Sequence, residues 1–83
     1  MKGFTALVIE IDGMYPKKKM IDAIRTYYIL AGRGFFTIDG HLNSAGPGDF
    51  FVIEPGQIYQ YEGEMKLLEY NISPTNSFKE KKL

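Results

Sequence analysis

The side chains most often used for chemistry are scarce in this sequence, which has one histidine and no cysteine. His41 is the natural candidate for a general base, because an imidazole titrates close to neutral pH. It directly follows Asp39-Gly40, a pair typical of a type I′ hairpin turn. We therefore expect His41 at a hairpin tip, where a solvated strand residue is favoured over a catalytic one.

The remaining groups for acid-base chemistry are carboxylates and phenols. Glu54, Glu69 or a tyrosine activated by Arg25 are conceivable, but the sequence marks no acid and base as a pair. The lack of cysteine excludes disulfides, thiolate metal sites and thiol catalysis. The sequence therefore identifies no catalytic residue.

One stretch, residues 48–63, organises the elements around these groups. It reads GDFFVIEPGQIYQYEG, an apolar run followed by Pro-Gly and an alternating aromatic segment. Pro55 and Gly56 are typical of a tight turn, and aromatic and β-branched residues favour strands on both sides. The pattern predicts a β-hairpin of a barrel or sandwich.

This stretch resembles the second motif of the cupin superfamily, which contains two glycines, a proline, a histidine and an asparagine at fixed spacing. Gly48 and Gly56 occupy the glycine positions, whereas Tyr59 replaces the histidine and Gly63 the asparagine. Pro55 lies one residue from the proline position. The resemblance implies a cupin barrel.

The first cupin motif has two histidines and a glutamate between two glycines, and Gly13 and Gly32 keep that spacing here. The three ligand positions between them carry Lys19, Ile21 and Arg25. An ammonium, an alkane and a guanidinium offer no lone pair to a metal at neutral pH. We therefore expect no metal and no cofactor at the usual cupin position.

By the same resemblance, a ligand cavity lies inside the barrel, lined by Lys19, Arg25 and Tyr59. Strand alternation adds Tyr27 beside Arg25 and Tyr61 beside Tyr59. Two cations and several phenols are suited to a small carboxylate or a sugar-like ligand.

A structural interpretation of the same residues stays open. Arg25 would pair with an internal carboxylate, for which Glu10, Glu54 and Glu69 are all conceivable. The tyrosines would then fill the core, as they do in many small β proteins.

The strand pattern indicates the fold class. Apolar or alternating segments lie near residues 4–11, 24–31, 35–38, 41–44, 50–53, 58–61 and 65–72, and 14–19 is interpreted as a loop. Such short, closely spaced strands predict an all-β, antiparallel jelly-roll barrel of about eight short strands. We assign residues 1–73 to the barrel and residues 74–83 to a polar C-terminal tail.

Composition limits the partners. Ten basic and ten acidic residues cancel, which gives no indication of nucleic acid or membrane binding. With 83 residues and strands that are apolar on both faces, we expect a homodimer, and without a signal-peptide pattern at the N-terminus we expect a cytoplasmic location.

Three functions follow from these expectations. The first is a metal-free cupin that binds a small molecule, and the second is a degenerate barrel used only for dimerisation or association. The third is a metal-independent sugar isomerase or epimerase, an activity that some cupins have. We rank them in that order, because a fold alone does not define a function.

Overall fold

The computed structural model describes residues 3–73 and 80–82, which form six β-strands. The strands are β1 (Gly3–Met20), β2 (Ile24–Ile38), β3 (His41–Ala45), β4 (Phe50–Ile53), β5 (Ile58–Ser73) and β6 (Glu80–Lys82). All strand pairs are antiparallel.

Three long strands, β1, β5 and β2, lie side by side and form the centre of the sheet. The strand order is β3-β2-β5-β1-β6, and β4 also pairs with β2. β4 pairs with the first part of β2, from Arg25 to Tyr28, and β3 pairs with its last part, from Gly34 to Ile38. The order is an open path, so the described strands do not close into a hydrogen-bonded ring.

The long strands fold over on themselves. The ring centroids of Tyr27 and Phe36 are 5.3 Å apart, although both residues belong to β2. Nine residues of straight strand would separate them by about 30 Å. β2 must therefore bend between these residues, which brings its two halves face to face around a shared interior.

A row of glycines crosses the three long strands at this bend. In the register of the sheet, Gly13 of β1 and Gly34 of β2 both lie opposite Gly63 of β5. A Cβ on Gly63 would overlap the backbone of Arg33 and Gly34, so the strands can approach this closely only without a side chain there. We call Gly13, Gly34 and Gly63 the glycine row.

The core lies between the two halves of the bent sheet. Its fully buried large side chains come from every strand from β1 to β5 except β3, which adds the smaller Ala45. They are Met20, Tyr27, Ile29, Phe36, Ile53, Tyr59, Tyr61 and Leu67. On β2, the alternation that places Tyr27 beside Arg25 on the inner face is confirmed and extends to Ile29, because all three are buried.

The prediction of an all-β antiparallel fold is confirmed, but the count of about eight short strands is wrong, and the described strands form an open, bent sheet instead of a closed barrel. Segments predicted as separate strands are continuous, because the glycines at the bend turn the strands without ending them. Residues 14–19, interpreted as a loop, belong to β1 and pair with β5 on either side of an irregularity between Tyr15 and Lys18. The antiparallel pairing with β5 supplies the backbone hydrogen bonds that hold this part of β1 extended.

Of the two predicted hairpins, one is confirmed and one is wrong. Asp39 and Gly40 have φ angles of 49° and 82°, as a type I′ turn requires, and β2 and β3 pair directly on either side of them. β4 and β5 flank a turn as predicted, but they do not pair with each other. Each pairs with a different edge of β2.

The end of the chain contributes one described strand. Glu80–Lys82, within the predicted tail, pairs with Lys18–Met20 of β1. The rest of the predicted tail, residues 74–79 and 83, lies outside the described residues. Within the described part of the chain, no helix is long and apolar enough to cross a membrane.

The glycine row allows a matched test of the bend. Gly63 and Gly13 have nearly the same φ angle, 132° and 137°, but a Cβ on Gly13 would meet no atom within 4 Å. Gly13→Ala carries only the backbone strain of about 1–3 kcal/mol. Gly63→Ala adds overlap with Arg33 and Gly34, and we expect it to lose at least about 2 kcal/mol more of the unfolding free energy.

Urea denaturation of the two variants measures this difference. Equal losses would show that the strands do not approach closely at Gly63.

Candidate functional site

Arg25 lies inside the bent sheet, near the start of β2. Its neighbours on the same strand face are Tyr27 and Ile29, and only 6% of its surface is exposed. A buried guanidinium is costly unless charges and hydrogen-bond acceptors compensate it. The groups that compensate the charge of Arg25 therefore define the candidate site.

The register between β2 and β5 supplies the partners of Arg25. Arg25 lies opposite Asn71, and Tyr27 lies opposite Glu69. The Nε–H of Arg25 donates to Asn71 Oδ1 at 2.5 Å, and Glu69 Oε1 lies 3.7 Å from the same nitrogen. The guanidinium thus has a buried carboxylate as its counter-ion, and Glu69 is the carboxylate among the three considered from the sequence.

Tyrosine hydroxyls complete the contacts on the other side of Arg25. Its Nη1 donates to the Tyr59 hydroxyl at 2.7 Å, and the hydroxyls of Tyr59 and Tyr27 are 3.1 Å apart. We call Arg25, Tyr27, Tyr59, Glu69 and Asn71 the Arg25 cluster. Its members come from the first half of β2 and from both halves of β5, so they meet only because the sheet bends.

The cluster is connected to the protein surface through Asn71. The Asn71 amide donates to Glu69 Oε2 at 3.3 Å and to Thr5 Oγ1 at 3.1 Å. Thr5 is an exposed residue of β1. A chain of polar groups therefore runs from solvent to the buried guanidinium.

A stack of aromatic rings lies beside the cluster. Tyr15 stacks on Tyr61 at 4.4 Å, Tyr61 on Phe36 at 4.8 Å, and Phe36 on Phe51 at 4.4 Å. Tyr27 makes a tilted contact with Tyr61 at 5.1 Å, which joins the stack to the Arg25 cluster. The interior thus combines aromatic faces with charged and hydroxyl groups.

Burial changes the acidity of two phenols in this interior. It raises the pKa of Tyr27 far above its ordinary value, and the nearby Tyr59, Tyr61 and Glu69 raise it further against the opposing effect of Arg25. Burial also raises the pKa of Tyr61, whereas its approach to the Tyr27 hydroxyl lowers it. The Tyr61 hydroxyl has no hydrogen bond of ordinary geometry in the described part of the chain.

Four of the five residues predicted to bind a ligand come together, namely Arg25, Tyr27, Tyr59 and Tyr61. Lys19 does not join them. The core residue Met20 follows it directly on the strand, so alternation directs Lys19 to the opposite face.

Lys18 takes the place expected of Lys19. Its Nζ lies 4.7 Å from the centroid of the Tyr15 ring, at the end of the aromatic stack. The irregularity in β1 between Tyr15 and Lys18 precedes this lysine, and a count along the sequence does not reveal it.

Sequence reasoning missed two other participants. Tyr15 falls within residues 14–19, which the sequence pattern predicts as a loop. Thr5 lies in the segment 4–11, which is recognised as a strand by its apolar residues. Asn71 lies in the predicted strand segment 65–72, where alternation puts it on the same face as Leu67 and Glu69, and this alternation is the available signal for its burial.

The other candidates lie outside the cluster. His41 is exposed at the start of β3, as predicted. Glu10 and Glu54 are exposed. Among residues 3–73 and 80–82, no three histidine, cysteine or acidic side chains are grouped as a metal site would require.

The interior around the cluster is tightly filled. Tyr27 and Phe36 have no exposed surface, and Tyr59 and Tyr61 have 1% each. A water-filled cavity beside these rings would leave part of their surface accessible. In this structure, the described side chains therefore leave no ligand-sized space next to Tyr27.

Removing the charge of Arg25 tests whether Glu69 and Arg25 compensate each other's buried charges. Arg25→Met leaves the Glu69 carboxylate buried without its counter-ion, and we expect a loss of about 3–5 kcal/mol in unfolding free energy. Adding Glu69→Leu should restore part of it, because no unpaired charge remains. The control Arg33→Met removes an exposed arginine and should change stability by no more than about 0.5 kcal/mol.

Urea denaturation of these variants, together with the single variant Glu69→Leu, completes a double-mutant cycle. A loss in Arg25→Met as small as that in Arg33→Met would contradict the burial of the Arg25–Glu69 pair.

The buried phenols predict a fall in stability at alkaline pH. Tyr27 and Tyr61 stay protonated in the folded state, whereas in the unfolded chain each releases its proton near pH 10. The unfolded state then binds fewer protons, so the unfolding free energy falls by about 1.4 kcal/mol per pH unit per group above that pH. Below it, this contribution is fully retained.

Urea denaturation between pH 9 and pH 11 measures the slope, with Tyr61→Phe as the comparison. The variant should lose stability less steeply than the wild type. Identical slopes would show that Tyr61 ionises alike in both states.

Comparison with known proteins identifies the fold. Pac13 of Streptomyces, a nucleoside dehydratase whose structure is known with uridine, matches with a TM-score of 0.87 and 20% identity over 100% of this chain and 70% of Pac13. A cupin protein of Bacteroides fragilis matches with a TM-score of 0.79 and 21% identity over 95% of this chain and 73% of its own.

KdgF from Halomonas sp. also has a TM-score of 0.79, with 18% identity over 89% of this chain and 71% of KdgF. No protein-family model and no curated protein sequence matches the chain. At these identities the likeness concerns the fold and not the activity. With its bent antiparallel sheet and these structural matches over nearly all of its length, the chain has the cupin fold.

Proposed function

We propose that this protein binds a neutral, hydroxyl-bearing small molecule at the Arg25 cluster, without a metal. The observation that carries the proposal is the meeting of a guanidinium, a carboxylate, an amide and phenol hydroxyls in the interior of a cupin fold. Replacing such buried polar groups with apolar ones often leaves stability unchanged or improves it. Their presence therefore favours a role in binding over a purely structural one.

The charges of the cluster favour a neutral ligand. Glu69 lies 3.7 Å from Arg25 and compensates its charge, and Lys19 lies on the other face of β1. Of the inner cations, Arg25 is thus neutralised by Glu69, and Lys18 lies over the Tyr15 ring rather than beside Arg25. Sugar-like hydroxyls both donate and accept hydrogen bonds, which suits a mixed set of donors and acceptors.

Two further features support this choice. The Tyr61 hydroxyl is buried without a hydrogen bond of ordinary geometry within the described residues, so it offers an unused polar group beside the cluster. The aromatic rings beside the cluster are of a kind that suits the flat or apolar side of a nucleoside or sugar once the interior opens. Pac13, which shares the fold, is known with uridine, a neutral nucleoside.

A ligand must open the interior to enter, because the described side chains fill it. The polar chain from Thr5 through Asn71 marks a route, since its outer end is exposed. Movement of the Thr5 end of β1 would expose Asn71 first and Arg25 next. Binding is then coupled to a local opening of the sheet.

The tight packing favours a second candidate function. If the interior stays closed, the Arg25 cluster is a structural network, and the domain serves only for association with another protein chain. The complete burial of Tyr27 and Phe36 is the observation that favours it. An isomerase or epimerase would need an acid and a base directed at the ligand, whereas Glu69 is engaged by Arg25 and Asn71, so we do not propose that activity.

Ligand-observed NMR with three probes tests the binding proposal: uridine, galactose and the matched acid galacturonate. We expect binding of at least one neutral probe, and weaker binding of the acid than of galactose. Tyr59→Phe removes a hydroxyl of the cluster and should weaken binding about tenfold. Tyr28→Phe removes a hydroxyl from an exposed residue and should have no effect.

Preference for galacturonate over galactose would contradict the proposed ligand class. If none of the probes binds, the filled barrel becomes the better account.

A further inference from the structure

The strands that carry the Arg25 cluster on their inner side are apolar on their outer side as well. Alternation directs Ile24 and Tyr28 of β2 outward, on either side of the inward Arg25 and Tyr27. A sheet exposed to solvent on one face ordinarily carries polar residues there. The outer side of these strands is therefore unusual.

The register joins these residues into one continuous surface across four strands. Val8 of β1 and Tyr28 of β2 both lie opposite Leu68 of β5, and Tyr28 also lies opposite Phe50 of β4. Ile24 lies opposite Ile72 on the same side. We call this surface the outer apolar face; its largest exposed members are Val8, Ile24, Tyr28, Phe50, Val52 and Ile72.

The other half of the bent sheet also exposes large apolar side chains, namely Met14, Phe35 and Leu42, but the charged Glu62 lies opposite Met14 and Phe35. Its outward positions include Thr37, Gln60 and Glu62, beside the apolar Leu42. By contrast, the members of the outer apolar face carry no charge, and the charged pair Glu10 and Lys66 lies at its border, next to Val8 and Leu68. The apolar surface without an intervening charge thus belongs to the half of the sheet that includes β4.

We propose that the outer apolar face is a homodimer interface, at which a second copy of this chain packs face to face. The six large members are between 37% and 64% exposed. At about 200 Å² for a large apolar side chain, they present roughly 600 Å² per copy. Two such faces bury roughly 1,200 Å², which reaches the lower limit for a stable interface.

A second copy is the occupant that these properties favour. In a twofold dimer the same patch occurs on both sides, so a charge near its centre would meet a like charge. The members of the outer apolar face carry none, and antiparallel sheets pack face to face on one another in β-sandwiches. The dimer also covers strands that are apolar on both sides.

Size-exclusion chromatography with light scattering tests the interface, with a matched pair of variants. Phe50 and Leu42 have nearly the same exposure, 64% and 66%, but only Phe50 lies on the outer apolar face. We expect the wild type to be a dimer, and Phe50→Lys to weaken dimerisation by roughly 100-fold or more. Leu42→Lys should leave the dimer unchanged.

Circular dichroism of both variants is the control for folding. Val8→Lys provides a second disruption, at the β1 edge of the same face. A wild type that is monomeric at roughly 100 µM would overturn the proposal. Dissociation by Leu42→Lys, or a dimer that withstands both Phe50→Lys and Val8→Lys, would place the interface elsewhere and overturn it too.

Discussion

The burial of one positive charge constrains much of this structure. Arg25 is 6% exposed, and its guanidinium is compensated only if Glu69, Asn71 and Tyr59 reach it together. Glu69 and Asn71 lie opposite the start of β2, in one half of the bent sheet, whereas Tyr59 lies opposite the end of β2, in the other half. The pairing register and the bend must therefore both be correct before the charge is satisfied, which links the polar interior to the fold as a whole.

The bend in turn depends on the glycine row. At Gly63 the neighbouring backbones are too close for a side chain, so the three long strands can turn together and continue. This brings Tyr27 and Phe36 of one strand into contact and places the aromatic stack beside the Arg25 cluster. The same strands carry the outer apolar face. Packing of a second copy on that face would therefore stabilise the strands that hold the Arg25 cluster.

Local patterns in the sequence predict part of this arrangement and long-range pairing decides the rest. A period of two residues is enough to direct Arg25, Tyr27 and Ile29 inward, and Asp39-Gly40 is enough to define a hairpin. The strand segments predicted from the sequence leave out Gly13, Gly34 and Gly63, because only the register shows that these glycines lie side by side within continuous strands. The choice of Glu69 over Glu10 and Glu54 also needs the register, and the exchange of Lys19 for Lys18 needs the irregularity in β1.

The most direct test of the central claim compares the only two arginines of the chain by NMR. Hydrogen exchange at the Nε–H reports whether a guanidinium is buried and hydrogen-bonded. Arg25 is buried and donates from Nε to Asn71, whereas Arg33 is exposed. We expect the Nε–H of Arg25 to exchange at least about 100-fold more slowly than that of Arg33. Equal exchange rates would contradict a buried, compensated Arg25.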